Sequence, residues 1–185
     1  MGPNFGGICT FVRRNLNVKL VDFPEYQKFE LLSLFLFNPT ISSLLLVVYR
    51  PGSKPPTDDF IKEFGDVLER SSSYKRCIIV GDVNLHLDDS MAPHVGPFLL
   101  LLDNFGLSER VRQPTHKLGH QLDVFITRTD QPVSAVRVYP SRLLSDHSFI
   151  TATCAGPDEP KIPRRPRVKC RCWKRFDVDA FTRSA

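Results

Sequence analysis

The stretch CIIVGDVNLHLDD, residues 77–89, decides how the rest of the chain is interpreted, because an apolar strand ends there in a dense group of polar residues. Four apolar residues lead into Gly81, and Asp82 and Asn84 follow directly. Asp and Asn after a glycine are typical of a simple turn, but an ordinary strand exit needs only one or two such residues. The surplus polar groups can bind a metal ion or a phosphate. The neighbouring segments must therefore show whether this stretch is a simple turn or a binding site.

Three strands are predicted upstream of this stretch, over residues 6–14, 28–37 and 41–49. Each segment is rich in aromatic and β-branched residues, and chain breakers such as Asn38-Pro39 separate them. The second and third strands are close enough in sequence to form a hairpin.

The segment TDDFIKEFGDVLERSSS, residues 57–73, predicts a helix, because its apolar residues recur at helical spacing and Thr57 can cap the first turn. The apolar density of residues 96–107 predicts a second helix packed on a sheet. Residues 77–82 and the short segments LDVFIT, SAVRVYP and HSFITATC are predicted strands. Strands that alternate with helices in one region and form hairpins in another favour a layered α/β (α+β) sandwich over a doubly wound sheet.

The composition is that of a globular protein, since 42% of the 185 residues are apolar, which is enough for about one domain. The longest apolar runs are far shorter than the roughly 20 residues that a membrane helix needs, so no membrane partner is expected. The first ten residues show no signal-peptide pattern, which predicts an intracellular protein. The five cysteines are odd in number and lack a framework spacing, so reduced thiols are expected.

The formal net charge of +5 is concentrated at the C-terminal end. Residues 161–185 contain nine Lys/Arg and two Asp, whereas residues 1–160 contain 16 basic and 18 acidic side chains. We therefore divide the chain into a domain at 1–155 and a basic, Pro/Arg-rich linker or tail at 156–185. A solvated linker and a nucleic-acid-binding segment explain this tail equally well; the candidates for phosphate contact are Arg164, Arg165, Arg167, Lys169, Arg171, Lys174 and Arg175.

Four predicted strand ends carry polar groups of complementary chemistry. Phosphodiester hydrolysis needs a divalent cation held by oxygen ligands, a carboxylate that orients or deprotonates water, and a hydrogen-bond donor to the oxyanion. Because oxygen donors predominate in this set, Mg²⁺ (or Mn²⁺) is the expected cofactor rather than zinc. The candidate residues are Tyr49, Asp82, Asn84, Asp123, Asp146 and His147.

Four motifs in the same order carry a family resemblance: YRP (49–51), VGDVN (80–84), PTHKLGHQLDVFITR (114–128) and LSDHSFI (144–150). They resemble the endonuclease/exonuclease/phosphatase (DNase I-like) superfamily, specifically the apurinic-endonuclease-like domain of non-LTR (LINE-type) retrotransposons. The resemblance covers roughly residues 5–154, and the later segment WKRFDVDAF resembles the linker toward the reverse transcriptase of such polyproteins. It implies a four-layer sandwich of two mainly antiparallel sheets flanked by helices, a DNA partner, nuclear location and a downstream reverse transcriptase domain.

The resemblance also implies roles for the residues at the first two strand ends. Asp82 would orient the nucleophilic water, and Asn84 would bind the phosphate or stabilise its transition state. Tyr49 would position the phosphate through its hydroxyl. Gly81 would let the backbone turn without a side chain that obstructs the site.

The residues at the other two strand ends complete the implied site. Asp146 would hold the metal together with Asp82. Asp123 would hold His147, which would donate a hydrogen bond to the scissile phosphate. A neighbouring carboxylate should raise the proton affinity of this imidazole.

Further polar residues near these motifs fit a solvated surface better than a site. The LHLDD segment alternates like an exposed strand continuation, so His86, Asp88 and Asp89 are interpreted mainly as loop residues. His116 and His120 flank a loop that can face DNA, and His116 is kept as a nucleic-acid-binding candidate, although a surface role suits both.

The sequence departs from the family pattern at its start. Family members open with a strand that ends in asparagine, and a metal-binding glutamate closes a later strand, both upstream of a GGxxxFxR-like strand that begins here at Gly6. Glu30 lies inside a predicted strand and does not match the missing ligand. The chain is therefore expected to be truncated, lacking N-terminal strands and one carboxylate, which should weaken metal binding.

The leading hypothesis is a Mg²⁺-dependent DNA endonuclease domain of retrotransposon origin, impaired by this loss. One alternative is a catalytically inactive remnant that binds nucleic acid or protein. A second is a phosphoesterase that acts on lipid or nucleotide phosphates, although PTHKLGHQLDVFITR favours the retrotransposon branch.

Overall fold

The helices and strands follow the hydrophobic pattern of the sequence closely. The computed structural model describes residues 7–140 and 145–154. The strands are β1 (Asn17–Leu20), β2 (Glu30–Asn38), β3 (Ile41–Tyr49), β4 (Cys77–Asp82), β5 (Leu107–Glu109), β6 (Asp123–Arg128), β7 (Val133–Tyr139) and β8 (Phe149–Cys154). The helices are α1 (Asp58–Ser71) and α2 (Val95–Asn104).

Six strands form one sheet, in the order β1-β2-β3-β4-β6-β5, and β7 pairs with β8 in a second, two-stranded sheet. All neighbouring pairs are antiparallel except β3 and β4, which are parallel and connected through α1. The expected mixed α/β fold with two mainly antiparallel sheets is confirmed, and so is the β2–β3 hairpin. Within the described ranges, neither helix has the length and apolarity that a membrane crossing requires.

Helix α1 forms where the sequence predicts it. The Thr57 side chain accepts a hydrogen bond from the Phe60 amide, and Asp58 and Asp59 in the first turn interact favourably with the positive end of the helix dipole. The predicted cap and first turn are thus confirmed.

The core lies between the two helices and one face of the six-stranded sheet. Because strand side chains alternate between faces, every second residue of β3, β4 and β6 meets the helices and is almost fully buried. These residues are Leu44, Leu46, Val48, Cys77, Ile79, Val124 and Ile126. The helices add Phe60, Phe64 and Phe98, whose ring centroids lie 5.1–6.1 Å apart. The intervening strand residues point to the opposite face of the sheet.

The pairing register brings three of the polar strand ends into one transverse row on that opposite face. Since β3 and β4 are parallel, their C-terminal ends meet, and Tyr49 pairs with Asp82. Strand β6 runs antiparallel to β4, so its first residue, Asp123, also pairs with Asp82. Residues directly opposite one another in adjacent strands project to the same side of the sheet. The topology therefore places Tyr49, Asp82 and Asp123 side by side.

The strand predicted over 6–14 is wrong for its described residues, 7–14, which form no strand. The edge of the sheet is formed instead by β1, whose residues pair with Leu34–Phe37 of β2. Phe11 is 94% exposed, so the largest apolar side chain of this segment does not pack into the core. High β propensity without a partner strand or a packing surface is not enough to make a strand.

Gly81 is required by a close approach within the sheet, which differs from the expectation that it keeps the site open. Its φ of +130° lies in a region that side-chain-bearing residues rarely adopt. A Cβ at this position would lie 1.9 Å from the Val48 carbonyl oxygen, which is backbone and cannot move aside. The β3–β4 pairing by itself therefore requires glycine at this position.

We predict that Gly81→Ala lowers the free energy of unfolding by roughly 3 kcal/mol, from backbone strain plus the collision with Val48. The matched control is Gly96→Ala in α2, where an added Cβ meets nothing within 4 Å. The control should leave stability unchanged or raise it by up to about 1 kcal/mol, because alanine favours helix. Urea denaturation followed by circular dichroism measures both, and equal stability of the two variants would contradict the prediction.

Candidate active site

His147 links the row of strand ends to the loop that precedes β8. Its Nδ1 lies 2.8 Å from Asp123 Oδ2, and its Nε2 lies 4.0 Å from Asp82 Oδ2. Their side chains are 30%, 18% and 17% exposed, so the cluster is partly desolvated yet open to a substrate. The structure thus brings together three of the predicted residues.

Asn84 positions Asp82 through two hydrogen bonds. Its side-chain Nδ2 donates to Asp82 Oδ2 at 2.7 Å, and its backbone N–H donates to Asp82 Oδ1 at 2.9 Å. The same Nδ2 donates to the Arg50 carbonyl at 2.8 Å. Asn84 has a φ of 48°, in the left-handed region that asparagine tolerates better than most residues. In this arrangement the amide hydrogens of Asn84 are directed at protein acceptors, so its visible role is to orient the carboxylate.

Asp146 lies with His116 rather than in the row of strand ends. Its Oδ2 is 3.4 Å from His116 Nε2 and 3.6 Å from Lys117 Nζ. Asp82 and Asp146, predicted to share a metal, thus fall in two neighbouring groups that both include His147. Tyr49 is half-buried beside Asp82 in the strand register.

The electrostatics of the cluster favour a basic Asp82. Burial raises the pKa of Asp82, and the negative charge of Asp123 raises it further; hydrogen bonds from Asn84 and the charge of His147 oppose this rise only in part. A carboxylate with a raised pKa accepts a proton more readily, as a base that activates water must.

For His147, burial and the neighbouring charges have opposite effects on the pKa. Burial lowers its pKa, but the hydrogen bond to Asp123 and the charges of Asp123, Asp82 and Asp146 outweigh burial, and the net pKa is raised. The expectation that Asp123 increases the proton affinity of this imidazole agrees with this balance. A protonated His147 can donate a hydrogen bond and a positive charge to an anionic group.

The residues present fit a hard divalent cation. One ligand atom from each of Asp82, Asp123 and His147 lies within 4.8 Å of the other two. Two carboxylates at a partly exposed site are the ligands that Mg²⁺ and Mn²⁺ prefer, with water completing the shell. In the described ranges, neither metal-capable group contains a glutamate.

Arg50 is a part of the site that the sequence did not assign. It is 4% exposed, and its guanidinium donates to the carbonyls of Val83 at 2.6 Å, Asn84 at 2.5 Å and Lys54 at 2.9 Å. These bonds fix the chain directly after Asp82. The only sequence signal was its place in the YRP motif, because an isolated arginine is ordinarily a surface residue.

Thr115 is a second residue that the sequence did not single out. It is fully buried, and its Oγ1 accepts hydrogen bonds from the Leu122 and Asp123 amides, each at 3.0 Å. Its carbonyl also accepts from the Ser148 amide at 2.6 Å. Thr115 therefore fixes Asp123 and the His147 loop relative to one another.

The remaining candidates lie apart from the cluster. The Asp88 Oδ2 lies 3.2 Å from His120 Nδ1, and the His86 and His120 rings are 4.1 Å apart between centroids. The predicted tail contacts lie outside the described residues: Arg164, Arg165, Arg167, Lys169, Arg171, Lys174 and Arg175.

Comparison with known proteins identifies a family and several solved structures to which this chain is similar. The family model for endonuclease-reverse transcriptase matches residues 43–151, more than half of the chain. The matched range contains Tyr49, Asp82, Asn84, Asp123 and His147. No curated protein matches the sequence significantly.

Several solved structures share the fold. One is the endonuclease domain of TRAS1, a telomere-specific non-LTR retrotransposon, with a TM-score of 0.58 and 17% identity over 75% of this chain and 66% of that one. Another is a 3′ phosphatase from Neisseria bound to a product DNA hairpin, with a TM-score of 0.56 and 15% identity over 78% and 72%. An endonuclease/exonuclease/phosphatase family protein from Leptotrichia buccalis has a TM-score of 0.53 and 15% identity over 68% and 53%.

At these identities the likeness establishes the fold, and the resemblance seen in the sequence motifs is confirmed at that level. The chain spans 66% of the TRAS1 domain and 53% of the Leptotrichia protein, less than two thirds of each.

We predict that Asp123→Asn lowers the pKa of His147, because it removes the carboxylate that stabilises the imidazolium. The folded state of the wild type binds this proton more tightly than the unfolded state, whose pKa is near 6.5. The resulting stability is fully present below pH 6.5 and is lost as pH rises through the folded-state pKa, and the variant should lack it. NMR titration of the histidine ring protons in EDTA measures the pKa.

Asp88→Asn is the matched control, since Asp88 contacts His120 rather than His147. It should leave the His147 titration unchanged. An unaltered His147 pKa in Asp123→Asn would contradict the assignment of Asp123 as the partner.

Proposed function

The chain belongs to the endonuclease-reverse transcriptase family, and from this premise we propose that it is a divalent-metal-dependent DNA endonuclease that hydrolyses phosphodiester bonds. The observation that carries the proposal is the contact of His147 with Asp123 at 2.8 Å, beside Asp82 where the ends of β4 and β6 adjoin. This arrangement places a base and a cationic donor side by side at a partly exposed site, where both can face one phosphate.

Each protein group has a distinct task in this proposal. Asp82, held by Asn84 and made more basic by burial, orients a water molecule and accepts its proton. His147, protonated and held by Asp123, donates a hydrogen bond to a phosphate oxygen and offsets the charge that develops there. Tyr49, adjacent to Asp82 in the sheet, contacts the phosphate through its hydroxyl.

Asp82 and Asp123 at the strand ends, together with Asp146 in the neighbouring group, are the carboxylates available for a metal ion near His147. When bound, Mg²⁺ or Mn²⁺ would supply charge neutralisation at the phosphate and the leaving oxygen. This chemistry suits a phosphodiester, whose negative charge would otherwise repel three nearby carboxylates.

DNA as the substrate is supported by the family description and by one structurally similar protein, the Neisseria 3′ phosphatase, which is bound to a product DNA hairpin. The pairing of endonuclease with reverse transcriptase in that description supports a reverse transcriptase domain as a partner in a parent polyprotein. Because the proposed substrate is DNA, we propose that the protein acts in the nucleus.

We predict that the protein nicks supercoiled plasmid in MgCl2, and that Asp82→Ala and His147→Ala each slow nicking by about 10²- to 10⁴-fold. EDTA should abolish the reaction. Asp130→Asn, an exposed carboxylate in the turn before β7, is the matched control and should nick at the wild-type rate. Gel quantification of the relaxed form gives the rates.

Equal nicking by all four proteins would reveal a contaminating nuclease and overturn the proposal. Retention of DNA without any metal-dependent nicking would identify the chain as a nucleic-acid-binding protein instead.

We also predict that residues 161–185 supply much of the affinity for DNA, because nine of these residues are Lys or Arg. Removal of the segment should weaken DNA binding and flatten its dependence on salt, since fewer counterions are released. Fluorescence anisotropy at several NaCl concentrations measures both, with Asp82→Ala as a control that should keep the salt dependence. An unchanged slope after the removal would show that the tail is a solvated linker.

A further inference from the structure

A second group of potential metal ligands lies next to the proposed catalytic cluster. One ligand atom each from His116, Asp146 and His147 lies within 4.8 Å of the other two. The proposed nuclease chemistry uses His147 and Asp146 but leaves His116 without a task. The His116 side chain is 13% exposed, and its Nε2 faces Asp146 Oδ2 at 3.4 Å. Its Nδ1 accepts a long hydrogen bond from the Leu118 amide at 3.3 Å, which an ion at Nε2 would replace.

The backbone holds these residues in place before any ion binds. His116 and His147 face each other in an antiparallel bridge, and their rings are 5.1 Å apart between centroids. The Lys117 amide donates to the Asp146 carbonyl at 2.8 Å, and the Ser148 amide donates to the Thr115 carbonyl at 2.6 Å. The ligands are therefore carried by two segments that are tied together on both sides of the group.

The donor set differs from that of the acidic cluster. Two imidazoles and one carboxylate suit a borderline transition-metal ion, of which zinc is the type, better than Mg²⁺. Ligand atoms at the corners of a zinc tetrahedron are separated by roughly 3.4 Å, given bond lengths of about 2.1 Å. The 3.4 Å between His116 Nε2 and Asp146 Oδ2 already matches this separation.

His147 has the second contact that a zinc-binding histidine needs. Its Nδ1 lies 2.8 Å from Asp123 Oδ2, which fixes the ring orientation and leaves Nε2 for an ion. A carboxylate behind a metal-bound histidine is a recurring arrangement at zinc sites. Asp123 supplies it here without being a ligand of this group.

We propose that His116, Asp146 and His147 form a binding site for Zn²⁺ or a similar transition-metal ion. Three protein ligands leave a fourth position for water, which the 48% exposure of Asp146 makes accessible. Occupancy removes His147 from the phosphate, so zinc inhibits nicking; this consequence alone rests on the proposed function.

Lys117 competes with the ion for the Asp146 carboxylate. Its Nζ lies 3.6 Å from the Asp146 oxygen that faces His116, and its side chain is 64% exposed. A surface ammonium bound to one carboxylate is held weakly, so an ion can displace it. Lys117→Gln should therefore increase the affinity for zinc.

The test measures zinc binding directly, by isothermal titration of ZnCl2 into the full chain at pH 7.5. All proteins carry Cys9→Ser, Cys170→Ser and Cys172→Ser, because Cys9 is exposed and thiols in the tail bind zinc themselves. The protein with these three substitutions alone is called the background protein. His116→Ala and Asp146→Asn should each weaken binding by at least about tenfold, the loss expected for a disrupted ligand shell. His86→Ala, a histidine outside both groups, should bind as the background protein does.

Co²⁺ provides the second readout, because its visible spectrum reports nitrogen and oxygen ligands and would show thiolate ligation as a charge-transfer band. A tetrahedral spectrum that His116→Ala and Asp146→Asn both lose supports the site. Zinc binding of His116→Ala equal to that of the background protein overturns it, as does the absence of any binding.

The nicking assay separates this inference from the proposed function. If the protein nicks, added ZnCl2 should inhibit the background protein at lower concentrations than His116→Ala. If no nicking occurs, the titration still decides whether the site exists, because it does not depend on catalysis.

Discussion

The register of β4 against its two neighbours is the constraint on which the site depends. Tyr49 and Asp123 lie beside Asp82 because β3 pairs in parallel and β6 in antiparallel with the same strand. A slip of one residue would turn Asp82 toward the helices and bury a carboxylate in the apolar core. The close contact between Gly81 and the Val48 carbonyl opposes such a slip, since only glycine fits there. The same pairing register therefore fixes both the packing of the sheet and the geometry of the site.

Most of the fold could be predicted from the sequence because its long elements have strong periodic patterns. Residues 41–49 and the helix capped by Thr57 were predicted at the observed positions, and the apolar residues that define them are the ones that fill the core. The short edge strands β1 and β5 could not be predicted, because alternation over four or three residues is too short to distinguish a strand from a loop. Their strand conformation comes from pairing with β2 and β6. The same dependence on a partner explains why residues 7–14 are not a strand.

The site was predictable to the extent that its groups are polar residues at the ends of apolar strands. Asp82, Asp123 and His147 carry that signal, and the structure brings them together. Arg50 and Thr115 carry no such signal, since their importance comes from burial and from backbone carbonyls and amides that only the folded chain supplies. The division of Asp82 and Asp146 between two groups was equally hidden, because it depends on the bridge between His116 and His147. Sequence order identifies which groups are available, whereas tertiary contacts determine which of them act together.

His147 is the point at which the two groups compete. The carboxylates around it raise its pKa and so favour the imidazolium, the form that can donate to a phosphate. A transition-metal ion needs the neutral ring, so it must displace that proton before it binds. The same Asp123 contact that makes His147 an effective donor also orients the ring as a ligand, and it stabilises both states. Which state prevails therefore depends on His116 and Asp146, because these two side chains contact the ion without belonging to the Asp82 group.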